Sequence, residues 1–144
     1  MGAGGITCAK LSEAEMMVDH GIQSILLANQ IVSTAKFALL ARLQHRAEVI
    51  AAIDDLAVVE PMGNAALENG SVIPVVIELE IGMGRVGAEP GPTTLEIARA
   101  ISDHPGLTFK GLMGYEGHVL DIVPPAAKES ACHQALCTLV DARD

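Results

Sequence analysis

The chain has 144 residues, half of them hydrophobic and only 2% aromatic, which is enough for one domain with an aliphatic core. The formal net charge of -9 leaves no basic face for phosphates and argues against nucleic acid as a partner. No apolar run approaches the roughly twenty residues of a membrane span, and an odd count of three cysteines suits the reducing cytoplasm, so we predict a cytoplasmic protein without membrane partners.

Five short aliphatic runs predict strands that are covered on both faces, because they lack a regular alternation of polar and apolar residues. The runs are Ile6–Ala9, Ile25–Ala28, Val49–Ile53, Val75–Ile81 and Leu107–Tyr115. Helical patterns follow them at about 12–21, 34–46, 55–69, 93–102 and from 125 onward. Strict strand–helix alternation predicts a parallel sheet.

Two local signals refine the helices. Ser12 and Glu15 have the spacing of a capping box, which predicts that the first helix opens at Ser12. Pro61 lies well inside the third helical pattern, where it should kink the helix or delay its start.

The most informative segment is the glycine-rich turn after the fourth strand. Its spacing, Gly82-x-Gly84-x-x-Gly87, resembles a dinucleotide fingerprint, but Pro90 and Pro92 delay any helix until about Thr93. That delay disfavours a Rossmann phosphate site. Arg85, inside the turn, offers five fixed donors to an oxyanion, although a tight loop with a solvated arginine explains the same residues.

Polar residues collect after the carboxyl ends of the predicted strands, as on the catalytic face of a (β/α)₈ barrel. They are Lys10, Asn29, Gln30, Asp54, Asp55, Glu80, Arg85 and the segment Tyr115–His118. Each has a simpler explanation, and the two aspartates are most simply helix N-caps. Five βα units cannot close an eight-unit barrel, so a doubly wound sheet is the alternative.

Both ends of the chain suggest a missing portion. The first strand is predicted within six residues of Met1, and the last helix reaches Asp144 without a glycine, asparagine or proline stop signal. We therefore expect the chain to be a fragment of a larger barrel.

His133 and Cys137 lie four residues apart on the last predicted helix, which is the spacing of a pair of metal ligands. Two ligands without a third are more often a buried cysteine beside a surface histidine. We therefore predict no metal site.

Five motifs in order carry a family resemblance: Gly5–Glu15, Leu27–Val32, Ile53–Asp55, Ile81–Gly87 and Gly111–His118. Together they resemble the D-threonine aldolase and D-serine dehydratase-like family of pyridoxal-phosphate enzymes, whose barrel is of the alanine racemase N-terminal type. The resemblance implies an α/β fold, a partial (β/α)₈ TIM-type barrel of about five consecutive βα units. It covers residues 1–144 as a single partial barrel domain.

The resemblance also implies cofactor-binding residues. Arg85 matches the arginine that faces the cofactor ring and its phenolic oxygen, Tyr115 and His118 match a strand end lining the pocket, and Gln30 matches an active-site loop. Glu80 departs from the aspartate expected before the glycine turn.

The Schiff-base lysine of the family is not present, so no catalytic residue is assigned. The four lysines, Lys10, Lys36, Lys110 and Lys128, all lie outside the family's Arg-Pro-His-x-Lys context. The last barrel strands and the C-terminal domain with the family's divalent-metal ligands are also absent. The implied cofactor is pyridoxal 5'-phosphate, the implied partner is a small D-amino acid substrate, and the family allows a homodimer.

Three hypotheses follow. The first is a fragment of a pyridoxal-phosphate-dependent lyase of the D-threonine aldolase or D-serine dehydratase type, inactive as given. The second is a non-catalytic α/β domain that binds a small anion at Arg85. The third is a subunit that completes a barrel with a partner chain supplying the lysine. The sequence leaves open whether this chain is itself an enzyme.

Overall fold

All five aliphatic runs form strands in the computed structural model, which describes residues 2–143. The strands make one parallel sheet in sequential order, and the predicted helices follow them. The strands are β1 Ile6–Cys8, β2 Ser24–Leu27, β3 Glu48–Ile53, β4 Ile73–Leu79 and β5 Leu107–Gly114. The helices are α1 Leu11–Asp19, α2 Thr34–Leu43, α3 Val59–Glu68, α4 Pro92–Asp103 and α5 Pro125–Arg143, with 3₁₀ turns at Leu56–Val58 and Gly117–Val119.

The helices cover one face of the sheet. Alternate strand residues such as Leu27, Ile53 and Ile77 are buried in one cluster with side chains from every helix. The opposite face carries the partly buried Ile50 and Val76 and the buried Ala52 and Glu78. None of these four belongs to the cluster that contains the helix side chains. A doubly wound sheet would need helices on both faces. The fold is therefore the predicted partial (β/α)₈ barrel, and the doubly wound alternative is wrong.

The first helix starts earlier than its predicted capping box. The N-cap is Lys10, and Glu13 accepts hydrogen bonds at 3.0 Å from the amides of Ala9 and Lys10. Ser12 lies inside the helix. The prediction of Ser12 as the cap is therefore wrong, because the carboxylate of Glu13, in the first turn of the helix, satisfies the free amides before it.

Pro61 delays the third helix, as predicted. The chain first makes the 3₁₀ turn at Leu56–Val58, and the α-helix then begins at Val59. Pro61 thus occupies the first helical turn, where its missing N–H leaves no intrahelical hydrogen bond unmade. Within the described residues, no helix is long and apolar enough to cross a membrane.

Candidate functional site

The predicted site residues all follow carboxyl ends of neighbouring strands, so the parallel sheet brings them to one edge. Gln30 follows β2, Asp54 follows β3, Arg85 lies in the β4–α4 loop, and Tyr115 and His118 follow β5. This is the edge at which (β/α) barrels carry their sites.

Glu80 shapes the turn that carries Arg85. Its carboxylate accepts hydrogen bonds from the amides of Gly82 and of Arg85, the latter at 3.2 Å. Burial raises the pKa of Glu80, but hydrogen bonds from the turn amides, including those of Met83 and Gly84, outweigh it, and the pKa lies below its ordinary value. The turn is an anion-binding nest of backbone amides that the protein's own carboxylate fills.

Asp54 fastens the far end of the same loop. Its Oδ2 accepts a hydrogen bond of 3.0 Å from the amide of Gly87. Gly87 has a φ of 111°, and a Cβ there would collide with the backbone of Leu79 and Glu80. Both aspartates were predicted to be helix N-caps. Asp55 caps the 3₁₀ turn Leu56–Val58 and accepts a hydrogen bond of 2.9 Å from the amide of Ala57. The prediction for Asp54 is wrong.

The loop after β4 lies against the segment after β5. A Cβ on Gly82 would lie 2.6 Å from Cε1 and Nε2 of His118, so the imidazole rests directly on that glycine. A Cβ on Gly117 would lie 2.5 Å from the Tyr115 ring and 3.0 Å from the sulfur of Met83. The structure therefore brings the Arg85 turn, Tyr115 and His118 together through glycine contacts.

The side chain of Gln30 is hydrogen-bonded to Glu78 on β4, a residue absent from the predicted site. Gln30 Nε2 donates to Glu78 Oε2 at 2.6 Å, and Glu78 is only 5% exposed. Glu78 alternates with the core residues Ile77 and Leu79, so it lies on the face opposite the helices. A charged residue inside an otherwise aliphatic strand was the available signal, because such a residue is rarely buried without a role.

Three of the four cofactor-binding candidates have polar groups available for a ligand. The side chains of Arg85, Tyr115 and His118 are exposed. Within residues 2–143 none of the three side chains makes a hydrogen bond or ion pair. Arg85 is thus a free guanidinium on a turn whose backbone is fixed.

A cleft of about 550 Å³ opens beside this edge, between the β4–α4 loop and α5. Its polar lining includes Glu80, Glu89, His118, Gln134 and Thr138. Of the four cofactor-binding candidates it includes His118 alone.

Lys10 follows β1 and so lies at the same edge, but no lysine side chain in the described residues is bonded to Gln30, Arg85, Tyr115 or His118. Lys110 pairs with Glu48 at 2.9 Å, and Lys128 donates to the carbonyl oxygen of Leu120. Lys10 and Lys36 are exposed on the N-terminal ends of α1 and α2, with no side-chain partner in the described part of the chain. In the same residues, no three His, Cys, Asp or Glu side chains are grouped to hold a metal ion.

A parallel sheet covered by helices on one face defines the class: a partial (β/α) barrel, whose candidate site residues lie at the carboxyl edge. Residues 1–143 match the family model "Alanine racemase, N-terminal domain", and the chain belongs to this family.

The similar proteins include enzymes of the kind that the five sequence motifs resemble. D-threonine aldolase from Arthrobacter sp is 35% identical over 135 residues, which is 94% of this chain and 36% of that protein. 3-Hydroxy-D-aspartate aldolase from Paracoccus denitrificans is 36% identical over 117 residues, 81% of this chain and 30% of that protein. The crystal structure of D-threonine aldolase from Filomicrobium marinum superposes with a TM-score of 0.92 at 33% identity, covering 98% of this chain and 39% of that one.

The family resemblance predicted from five motifs is confirmed. The chain spans only 30–39% of the length of these three relatives.

Proposed function

We propose that this chain is part of the catalytic barrel of a pyridoxal-phosphate-dependent lyase that acts on D-amino acids, of the D-threonine aldolase or D-serine dehydratase type. The observation that carries the proposal is the superposition on D-threonine aldolase over 98% of the chain, at a TM-score of 0.92. The aldolase names of the relatives support a small β-hydroxy-D-amino acid as the substrate of the full-length enzyme. We treat residues 1–144 as one partial barrel domain.

In this proposal the Arg85 turn, Tyr115, His118 and Gln30 form one wall of the cofactor pocket. The support is their common position at the carboxyl edge and the free polar groups of the first three. A guanidinium and a phenol can orient an aromatic ring and stabilise a phenolate oxygen. Glu80 and Asp54 would fix the backbone from which Arg85 projects.

These residues do not make a complete pyridoxal-phosphate site. The amides of the Gly82–Arg85 turn, the kind of nest that cradles a phosphate, are already occupied by Glu80. No lysine side chain in the described part of the chain is hydrogen-bonded to Arg85, Tyr115 or His118. Arginine and tyrosine cannot replace the covalent link that a lysine forms with the cofactor aldehyde. We therefore propose that residues 1–144 alone do not perform the lyase reaction.

The test is turnover by the purified chain with added pyridoxal phosphate. We expect neither glycine from D-threonine nor pyruvate from D-serine above the rate of free cofactor. Arg85→Ala is the informative variant, and Arg99→Ala, an exposed arginine on α4, is the matched control. Turnover that Arg85→Ala abolishes and Arg99→Ala retains would overturn the proposal of an inactive chain.

A second candidate function is binding of a small anion at Arg85 without chemistry. The unpaired guanidinium on a fixed turn favours it. Calorimetric titration with inorganic phosphate separates anion binding from the lyase-fragment proposal. Anion binding at Arg85 predicts saturable phosphate binding that Arg85→Ala removes. The third hypothesis, a partner chain that completes the barrel, predicts that the lysine-bearing partner restores turnover.

A further inference from the structure

Helix α5 presents a histidine and a cysteine to solvent, one helical turn apart. His133 and Cys137 are both exposed, and Cys137 Sγ lies 3.5 Å from Nδ1 and 4.0 Å from Nε2 of His133. The sequence favoured a buried cysteine beside a surface histidine, and the exposure of Cys137 shows that this explanation is wrong. The pair lies outside the set of proposed cofactor-pocket residues.

The separation of the two side chains suits a shared metal ion. A tetrahedral ion about 2.3 Å from sulfur and about 2.05 Å from nitrogen places these two atoms about 3.6 Å apart. The observed 3.5 Å between Sγ and Nδ1 is close to this separation. Because the sulfur lies near both ring nitrogens, the His133 side chain must turn for one nitrogen to face a shared ion.

The surroundings favour a cation. Glu129 lies one turn before His133, and Asp141 lies one turn after Cys137, both exposed on the same stripe of the helix. The formal net charge of -9 further raises the local concentration of cations.

We propose that His133 and Cys137 bind one thiophilic divalent ion of the zinc class per chain. A thiolate and an imidazole select such ions over the oxygen-preferring Mg²⁺ and Ca²⁺. Binding replaces the Cys137 thiol proton with the metal and releases the proton to solvent. Within residues 2–143 no third ligand completes a cluster, so water occupies the remaining positions.

The experiment is titration of the full chain with CdCl₂, followed by the ultraviolet charge-transfer band of cadmium thiolate. We expect a saturable band at one Cd²⁺ per chain, with MgCl₂ giving none. Cys137→Ser should abolish the band. His133→Ala should weaken the affinity by more than about tenfold, because even loss of a residue that only supports a metal ligand has that effect.

Cys132→Ser is the matched control, since Cys132 is a partly exposed cysteine on the same helix. It should leave the band and the affinity unchanged, and circular dichroism of each variant should match the unsubstituted chain. A band that survives Cys137→Ser, that is lost in Cys132→Ser, or that is unaffected by His133→Ala would overturn the proposal.

Discussion

The hydrogen bond between Gln30 and Glu78 makes a sharp stability prediction. Glu78 is 5% exposed, and its side chain has one partner in the described structure, the Nε2 of Gln30 at 2.6 Å. Gln30→Ala removes that partner and leaves a buried carboxylate without a donor. Such a group loses its hydration and receives nothing in exchange.

The magnitude follows from the charge of the acceptor. A hydrogen bond to a charged group contributes about 1.5–3 kcal/mol to folding, against about 0.5–1.5 kcal/mol for a neutral one. Gln30 is partly exposed, so water can replace part of the bond and the lower half of the first range applies. We therefore expect Gln30→Ala to lower the free energy of unfolding by about 2 kcal/mol.

The assay is urea unfolding at neutral pH, followed by circular dichroism. Glu78→Gln supplies the matched background, because its amide oxygen still accepts from Gln30 but carries no charge. Gln30→Ala should cost less in that background, about 1 kcal/mol. A loss below about 0.5 kcal/mol in the unsubstituted chain, typical of an ordinary surface position, would refute the reasoning. An equal loss in both backgrounds would show that the charge of Glu78 does not matter.

Two further predictions concern the Arg85 turn. Gly82→Ala should destabilise the chain by at least about 1 kcal/mol more than Gly84→Ala in urea unfolding. The φ of 125° at Gly82 lies outside the left-handed region that non-glycine residues can adopt, whereas the φ of 62° at Gly84 lies within it. A Cβ at Gly82 would also meet the exposed imidazole of His118 at 2.6 Å, so His118→Ala should reduce the difference but not remove it. The hydrogen bonds from the turn amides to Glu80 should persist at neutral pH and be lost as the pH falls through the lowered pKa of Glu80. The amide resonances of Gly82 and Arg85 should therefore titrate with a midpoint below 4.5. Glu80→Gln should abolish that titration. A midpoint at or above 4.5 would contradict the proposed role of the turn amides.

Much of the fold is predictable because hydrophobic patterning alone specifies it. The five aliphatic runs mark the strands, and alternation with helices sets the parallel order. The aliphatic runs could not show that helices cover only one face of the sheet. A run such as Val75–Ile81 indicates that both faces of the strand are buried, but it does not show which elements bury each face. The family resemblance supplied that choice.

The candidate site is predictable in position but not in contacts. Any residue just after a strand must lie at the carboxyl edge, which placed Gln30, Arg85 and His118 correctly. The partner of each residue depends on loop paths that local patterns do not encode. Two hydrogen bonds are tertiary contacts of this kind. One joins Gln30 to Glu78, 48 positions along the chain, and the other joins Asp54 to Gly87.

The central claim is that this chain carries one wall of a pyridoxal-phosphate pocket without the lysine that anchors the cofactor. The most direct measurement is borohydride reduction of the chain mixed with pyridoxal phosphate, followed by peptide mapping. We expect weak, substoichiometric labelling spread over exposed lysines such as Lys10 and Lys36. A single lysine labelled stoichiometrically, with the label abolished by Arg85→Ala, would contradict the claim and show that these residues form a working cofactor site.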